Sequence, residues 1–214
     1  MFERKWRVSI YKILNQIFNP YMNGGFLLKR ISKLSTLFIF NKTSKKEKYS
    51  EIYDIVKTKL YGYKVLRTAR EIGEGFYCGG WSSCTKNTIL KEHVSFNGMD
   101  IRGKGQCKIG RYFHSGRECM ILTSNHKYDE GNKIPYDDTE NTIKDVEIGD
   151  FVWFGSRVMI LPGTKIGEGA IIQGGSVVHG EIPPYAIAGG NPAKVFKYRD
   201  IEHFKKLKKE GKFH

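Results

Sequence analysis

From residue 146 onward an apolar position returns every six residues: Ile148, Phe154, Ile160, Ile166, Ile172 and Val178. Two places before each stands a small or aliphatic residue: Val146, Val152, Val158, Thr164, Ala170 and Ser176. A helix would bring apolar residues back about every 3.6 positions and a half-buried strand every second one, and neither template runs through so many units. A fixed period of six instead predicts a solenoid of short strands and corners, with both marked positions pointing inward. One unit cannot bury its own apolar face, so the units must stack. Gly149, Gly155 and Gly167, each directly after a marked position, are expected to ease the corner backbone.

The frame extends backwards. Ile72-Gly73 reads as a first corner, and Cys84, Leu90 and Phe96 keep step, with Ser82, Thr88 and Val94 as companions. Ile109-Gly110 follows Phe96 by thirteen residues rather than twelve, so one extra residue is expected within NGMDIRGKGQ. Ser115-Gly116 and Ile121 continue the frame, which then fails until Ile148. The interruption, TSNHKYDEGNKIPYDDTENTIKD, is polar with Gly and Pro inside it, the mark of a long excursion that is either functional or disordered.

Residues 1–60 do not follow the frame. Trp6, Ile10, Ile13, Leu14, Ile17 and Phe18 lie on one helical face, NPYMNGG breaks that helix, and residues 26–37 form a second candidate before the basic stretch NKTSKKEK. Two readings are open for this segment: a cationic amphipathic surface on an anionic membrane, or a helical cap over the end of the solenoid. The expected organisation is a basic helical segment at 1–65, a β-helix at 66–198 with its loop at 122–145, and a basic C-terminal helix or tail at 199–214.

Charge adds a constraint. A formal net charge of +14 over 214 residues and a pI near 9.5 ask for an anionic partner: nucleic acid, membrane, polyanionic substrate or phosphorylated cofactor. The aromatics are not interleaved with the cations as a stacking platform, which argues against nucleic acid. No stretch reaches the roughly 18 apolar residues of a membrane span, and MFERKWRVSIYK is too interrupted by charge for a secretory signal. The expectation is a cytoplasmic protein, peripheral at the inner face of the cell membrane if the first of the two readings of the basic segment holds. Cys78, Cys84, Cys107 and Cys119 form no CxxC pair and fall on core positions, as reduced cysteines would. GMDIRGKG has the spacing of a phosphate-binding loop, but Gly105 stands where a Ser or Thr should be, and no strand-to-helix context follows.

Together ILTSNHKYD, VWFGS, LPGTKIG, GGSVV and IPPYAIAGGNPAKV, in that order, resemble the hexapeptide-repeat acyltransferases. These are left-handed parallel β-helix enzymes that include galactoside, maltose, xenobiotic and capsular-sugar O-acetyltransferases. The resemblance covers roughly residues 72–198 and implies a homotrimer with acetyl-CoA bound between neighbouring subunits, no metal, and His126 as general base. Imidazole titrates near neutrality and suits the removal of a sugar hydroxyl proton. The amides around Gly155 and Ser156 are the implied oxyanion donors. Trp153 is either a core or interface filler or a neighbour of the cofactor arm. Ser156, Gly174 and His179 fall where the family lines its CoA groove, and Lys194 and Lys197 where it places cations near the nucleotide phosphates.

On the acceptor side, Asn97 in SFNGMDI matches an Asn that some relatives use on the sugar, and Asp100 follows it. RGKGQ then replaces a carboxylate pair of those relatives, so Arg102 or Lys104 would suit an acidic or phosphorylated acceptor. The implied reaction is O-acetylation of a carbohydrate, a surface polysaccharide or its precursor. An antibiotic, an amino sugar or a small hydroxy compound is an alternative acceptor. Two other classes fit the scaffold. A zinc hydratase resembling the γ-type carbonic anhydrases would draw on His93, His114 and His126, although the close His pair of that family is absent. A non-catalytic module for polyanions or membranes would leave His126 dispensable.

Overall fold

The computed structural model describes residues 45–214, with side chains from Tyr53 onward. The helical faces expected over 6–18 and 26–37, and the membrane and cap readings attached to them, lie outside the described residues. Lys57–His214 forms one compact unit. Among the described residues no helix is long and apolar enough to cross a membrane.

Two helices, Lys45–Tyr61 and Tyr63–Thr68, precede the first coil. Val65 is fully buried in the main core, and Thr58 Oγ1 accepts the Cys78 N–H at 3.1 Å. From Glu71 the chain winds as a left-handed parallel β-helix of about six turns. One face stacks Glu71–Ile72, Thr88–Leu90, Cys107–Ile109, Val146–Ile148, Lys165–Ile166 and Glu181–Ile182. The second face runs from Tyr77–Gly80 through Trp153–Phe154 to Ala186–Gly190. The third carries Met159–Ile160 and Val177–Val178. The long strands Ser95–Arg102 and His114–Leu122 turn the corner between these two faces.

The period of six is the inward set. Every marked position from Val146 to Val178 is buried, at no more than 3 % exposure, polar companions Thr164 and Ser176 included. Thr164 Oγ1 donates to Leu161 O at 2.7 Å and Ser176 Oγ to Gln173 O at 2.6 Å, so each buried hydroxyl serves a local carbonyl. The corner glycines have a different reason from the one expected. A Cβ on Gly149 would lie 2.8 Å from Glu168 N, on Gly155 2.4 Å from Gly174 N, and on Gly167 2.4 Å from Pro184 N. Close approach of stacked coils, not left-handed backbone, demands them. The left-handed corner residues stand two places later and include Phe151 (φ 59°) and Arg157 (φ 61°).

Register explains the two irregular coils. The extra residue before Ile109 is a net effect. Phe96 lies level with Ser115 while Ile101 pairs with Ile121, so one residue is lost before Met99 and two are gained in the corner after Ile101. Met99 and Ile101 therefore point inward, leaving Asp100 half-buried and Arg102 exposed. Cys107–Ile109 pairs with Val146–Ile148 in unbroken register across the whole excursion.

At the corner between the first and second faces the side chains form an aromatic ladder. His93 stacks on Tyr112 at 4.7 Å, and Tyr112 on Phe151 at 5.2 Å with the rings 2° from parallel. The next rung is Gly169, and Phe204 of the C-terminal helix Ile201–Lys209 enters there, 5.9 Å from Phe151 and 5.1 Å from Tyr185. Asp200 caps that helix by accepting the His203 N–H at 2.9 Å.

Candidate active site

His126 belongs to a hairpin inserted between the third and first faces, in which Ser124–Lys127 pairs antiparallel with Asp137–Ile143. The imidazole is exposed and lies against the Tyr136 ring, 4.2 Å between centroids and 20° from parallel. Tyr136 comes from the far side of the loop, so the contact closes the hairpin over its own tip. Asp137 organises that tip. Its carboxylate accepts the Thr139 hydroxyl at 2.6 Å, the Thr139 N–H at 3.0 Å and the Asn132 N–H at 2.9 Å. These bonds, the Thr139 hydroxyl first, hold its pKa down at about 2. Lys127 pairs with Glu140 at 2.8 Å on the same hairpin.

The root of the hairpin rests on the RGKG segment. Thr123 donates to Arg102 O through both its N–H (2.9 Å) and its hydroxyl (3.0 Å), and the Lys104 N–H reaches Ser124 Oγ at 3.3 Å. A Cβ on Gly103 would lie 2.5 Å from Thr123 Oγ1, and one on Gly105 2.7 Å from Thr123 O. Those glycines let the strand pass under the hairpin. Asp100 accepts Ser83 Oγ at 2.6 Å and Arg102 Nε at 2.6 Å. Burial pushes the Asp100 carboxyl up, but the Ser83 hydroxyl and the Arg102 guanidinium, with the charge of Lys64, outweigh it and the pKa falls. The Arg102 charge is thus matched within the chain, and Lys104 and Lys144 are exposed cations at the hairpin root, the latter with its N–H on Thr123 O at 3.1 Å. Asn97 uses its amide between coils, donating from Nδ2 to Ser115 O at 3.0 Å.

The other positions lie elsewhere on the solenoid. Trp153 stands outward on the second face, 52 % exposed, in register with His114 and Ile171. Gly155, Ser156 and Gly174 form the next corner. The Gly155 N–H is committed to Ile172 O at 2.8 Å, whereas the Ser156 nitrogen is packed close to Gly116, where a Cβ would come within 2.5 Å of it. His179 is exposed between the third and first faces. Lys194 and Lys197 are exposed on Ala193–Tyr198, the antiparallel strand that ends the second face. In a three-sided coil, the corner that carries the hairpin is opposite the face that carries Trp153. One chain therefore does not bring His126 to Trp153.

His93, His114 and His126 stand respectively at the aromatic corner, on the second face and on the hairpin. They are not a ligand set, and among the described residues no three His, Cys, Asp or Glu side chains are grouped to hold an ion. The four cysteines are free, three of them buried. Burial raises every one of their pKa values, that of Cys84 to about 11.

Fold and hairpin together define a hexapeptide solenoid with an inserted loop. The description "Bacterial transferase hexapeptide (six repeats)" matches residues 145–180. The chain is 40 % identical over 107 residues to a chloramphenicol acetyltransferase of Klebsiella aerogenes, covering 44 % of this chain and 49 % of that protein. It is 54 % identical over 55 residues to a chloramphenicol acetyltransferase of Morganella morganii, 26 % of each chain. The chain thus spans about half the length of the first relative and about a quarter of the second. Among solved structures, galactoside acetyltransferase in complex with coenzyme A superposes with a TM-score of 0.56 over 86 % of this chain and 87 % of that one, at 22 % identity. That likeness establishes the shared fold.

Proposed function

We propose that the chain transfers acetyl from acetyl-CoA to a hydroxyl of a carbohydrate, a surface polysaccharide or its precursor, with His126 as general base. The observation that carries this reading is the His126 imidazole, exposed and backed by Tyr136 on a hairpin inserted into an otherwise unbroken solenoid. The repeat over 145–180 and the acetyltransferases similar to it supply the reaction class.

In the step we envisage, the imidazole takes the proton of the acceptor hydroxyl as its oxygen attacks the thioester carbonyl. The Ser156 N–H meets the developing oxyanion. Collapse breaks the carbon–sulfur bond, and the thiolate of CoA leaves with the proton held by the imidazolium. Trp153, Gly155 and Gly174 line the donor groove from one subunit, His179 reaches it from the hairpin corner of the neighbouring subunit, and Lys194 and Lys197 supply charge for its phosphates. Asn97, Asp100 and Arg102 border the acceptor side, where Lys104 favours an acidic acceptor. Because His126 and Trp153 lie on opposite sides of one solenoid, the complete site joins the hairpin of one subunit to the second face of its neighbour in a homotrimer. The exposed cationic surface is compatible with a cytoplasmic enzyme working beside an anionic membrane.

A second acceptor class rests on the similarity to chloramphenicol acetyltransferases: the hydroxyl of an antibiotic. The test is thiol release from acetyl-CoA by wild type and His126→Ala. The acceptor panel comprises neutral, acidic and amino sugars, lipid-linked oligosaccharides and chloramphenicol. Turnover that falls at least about a hundredfold in the variant is the expected result. A variant as fast as wild type would remove His126 from the mechanism.

A further inference from the structure

The corner between the second and third faces does not stop at Ser156. Below it stand the rungs 116–118, then 97–98, then 81–82 at the first coil. Coils stack about 4.8 Å apart, so Trp81 and Ser156 are three coil steps and about 14 Å from each other along this corner.

Trp81 is 70 % exposed, yet the backbone that carries it is fixed on every side. The pairing slips by one residue just before it, with Cys78 opposite Phe96 and Gly80 opposite Asn97, and the extra residue pushes the indole out of the coil. Next to it the buried Ser82 donates its N–H to Tyr61 O at 3.1 Å and its hydroxyl to Gly80 O at 2.9 Å, and accepts the Met99 N–H at 3.0 Å. The Tyr61 ring meets the indole edge to face at 5.2 Å. A large aromatic held out in water by so many bonds is a preorganised platform, which loses little freedom when a ring packs on it.

The rungs between Trp81 and Ser156 are low. Gly98 and Gly116 have no side chain, and the Asn97 amide is turned to Ser115 O. Gly98 also holds φ +102°, where a larger residue would be strained. The cation on this stretch is Arg117. Arg102, Arg111 and Arg157 each have a carboxylate within 2.8 Å, whereas among the described residues none pairs with Arg117. Its backbone is anchored beside Ser156: the N–H donates to Ser156 Oγ at 3.1 Å, and the carbonyl accepts the Arg157 N–H at 2.7 Å. The exposed guanidinium is left as a free fork for a carboxylate or a phosphate.

We propose that this stretch of corner is a distal subsite for an acidic oligosaccharide, with one sugar ring packed on Trp81 and an anionic group of the chain on Arg117. The C–H face of a sugar ring is apolar and suits an exposed indole. The span from Trp81 to Ser156 exceeds a single ring, so only a chain of sugars reaches both ends. The proposal rests on the acetyl-transfer reading for the reacting end at Ser156. A uronic acid and a phosphosugar share the chemistry that Arg117 recognises.

The test is calorimetry and tryptophan emission on the whole chain. The probes are galacturonic acid, tetragalacturonic acid, a tetrasaccharide bearing one phosphate, and neutral cellotetraose. The acidic tetrasaccharides are expected to bind more tightly than the monosaccharide and cellotetraose, and to change the emission. Trp81→Ala should bind them about tenfold more weakly, while Trp81→Phe keeps the affinity and loses the emission change. Arg117→Gln should cost about threefold with the acidic chains and nothing with cellotetraose. Tighter binding of tetragalacturonic acid assigns a carboxylate, and tighter binding of the phosphorylated chain assigns a phosphate; either supports the proposal. It is wrong if no tetrasaccharide binds, if galacturonic acid binds as tightly as its tetramer, or if either Trp81→Ala or Arg117→Gln binds the acidic chains like wild type. Trp81-dependent binding with no thiol release from acetyl-CoA to any acceptor would sink the acetyl-transfer reading and leave the subsite. Thiol release with the tetrasaccharides that is unchanged in Trp81→Ala would do the reverse.

Discussion

Phe204 stands where Gly169 has no side chain. A Cβ built on Gly169 would lie 3.0 Å from the Phe204 ring and 3.0 Å from that of Tyr185, at a residue whose φ is +68°. The missing rung of the corner ladder is the seat of the C-terminal helix.

Gly169→Ala should therefore cost about 1–3 kcal/mol, from left-handed strain on a residue with a Cβ and from crowding of Phe204. Urea unfolding measures the loss. Hydrogen exchange should show the Ile201–Lys209 amides opening before the solenoid strands. Unchanged protection there would show that Phe204 does not anchor the helix.

Tyr136→Ala removes the ring against which His126 lies. A stacked pair is worth roughly 0.5–1.5 kcal/mol, so acetyl transfer should slow about two- to tenfold while Tyr136→Phe stays near wild type. The readout is kcat with the best acceptor. An equal loss in both variants would point to the phenol hydroxyl instead of the ring.

Acid should loosen the hairpin through Asp137. Its folded pKa of about 2 lies below the ordinary 3.8. The carboxylate thus favours the ordered tip fully above about pH 4, and this contribution disappears as pH falls through about 2. Hydrogen exchange at Asn132 and Thr139 should accelerate across that window in wild type. In Asp137→Asn it should be fast and nearly independent of pH.

Thiol reagents should label the native protein slowly, since burial raises all four thiol pKa values and the thiolate is the reactive form. Cys84, half-buried, should react first, and the other three only with unfolding. Rapid labelling of Cys107 in the native state would contradict the packing of the core.

Much of this architecture was legible from the repeat. The period fixed the inward set from Val146 to Val178 because six residues per strand and corner leave only two positions facing the axis. It failed at Asp100 and Arg102, where a strict frame would turn both inward. A residue lost before Met99 and two gained after Ile101 are invisible to spacing, which records only their sum. His126 could be singled out by its motif, but Tyr136 and Asp137 could not, since nothing periodic marks a loop that organises itself. Arg199 and Gly169 escaped for another reason: the bond from Arg199 Nε to Gly169 O exists only once the chain thirty residues downstream of Gly169 folds back onto it.

The hairpin with His126 leaves and rejoins the solenoid at stacked strands, and Cys107–Ile109 meets Val146–Ile148 as though nothing lay between. Such an insertion is mechanically silent to the coils on either side. Its length and composition are free to drift, limited chiefly by Gly103, Gly105 and Asp145 at its base. A lineage built this way can change what it recognises by exchanging one loop, without retuning a single layer of its core.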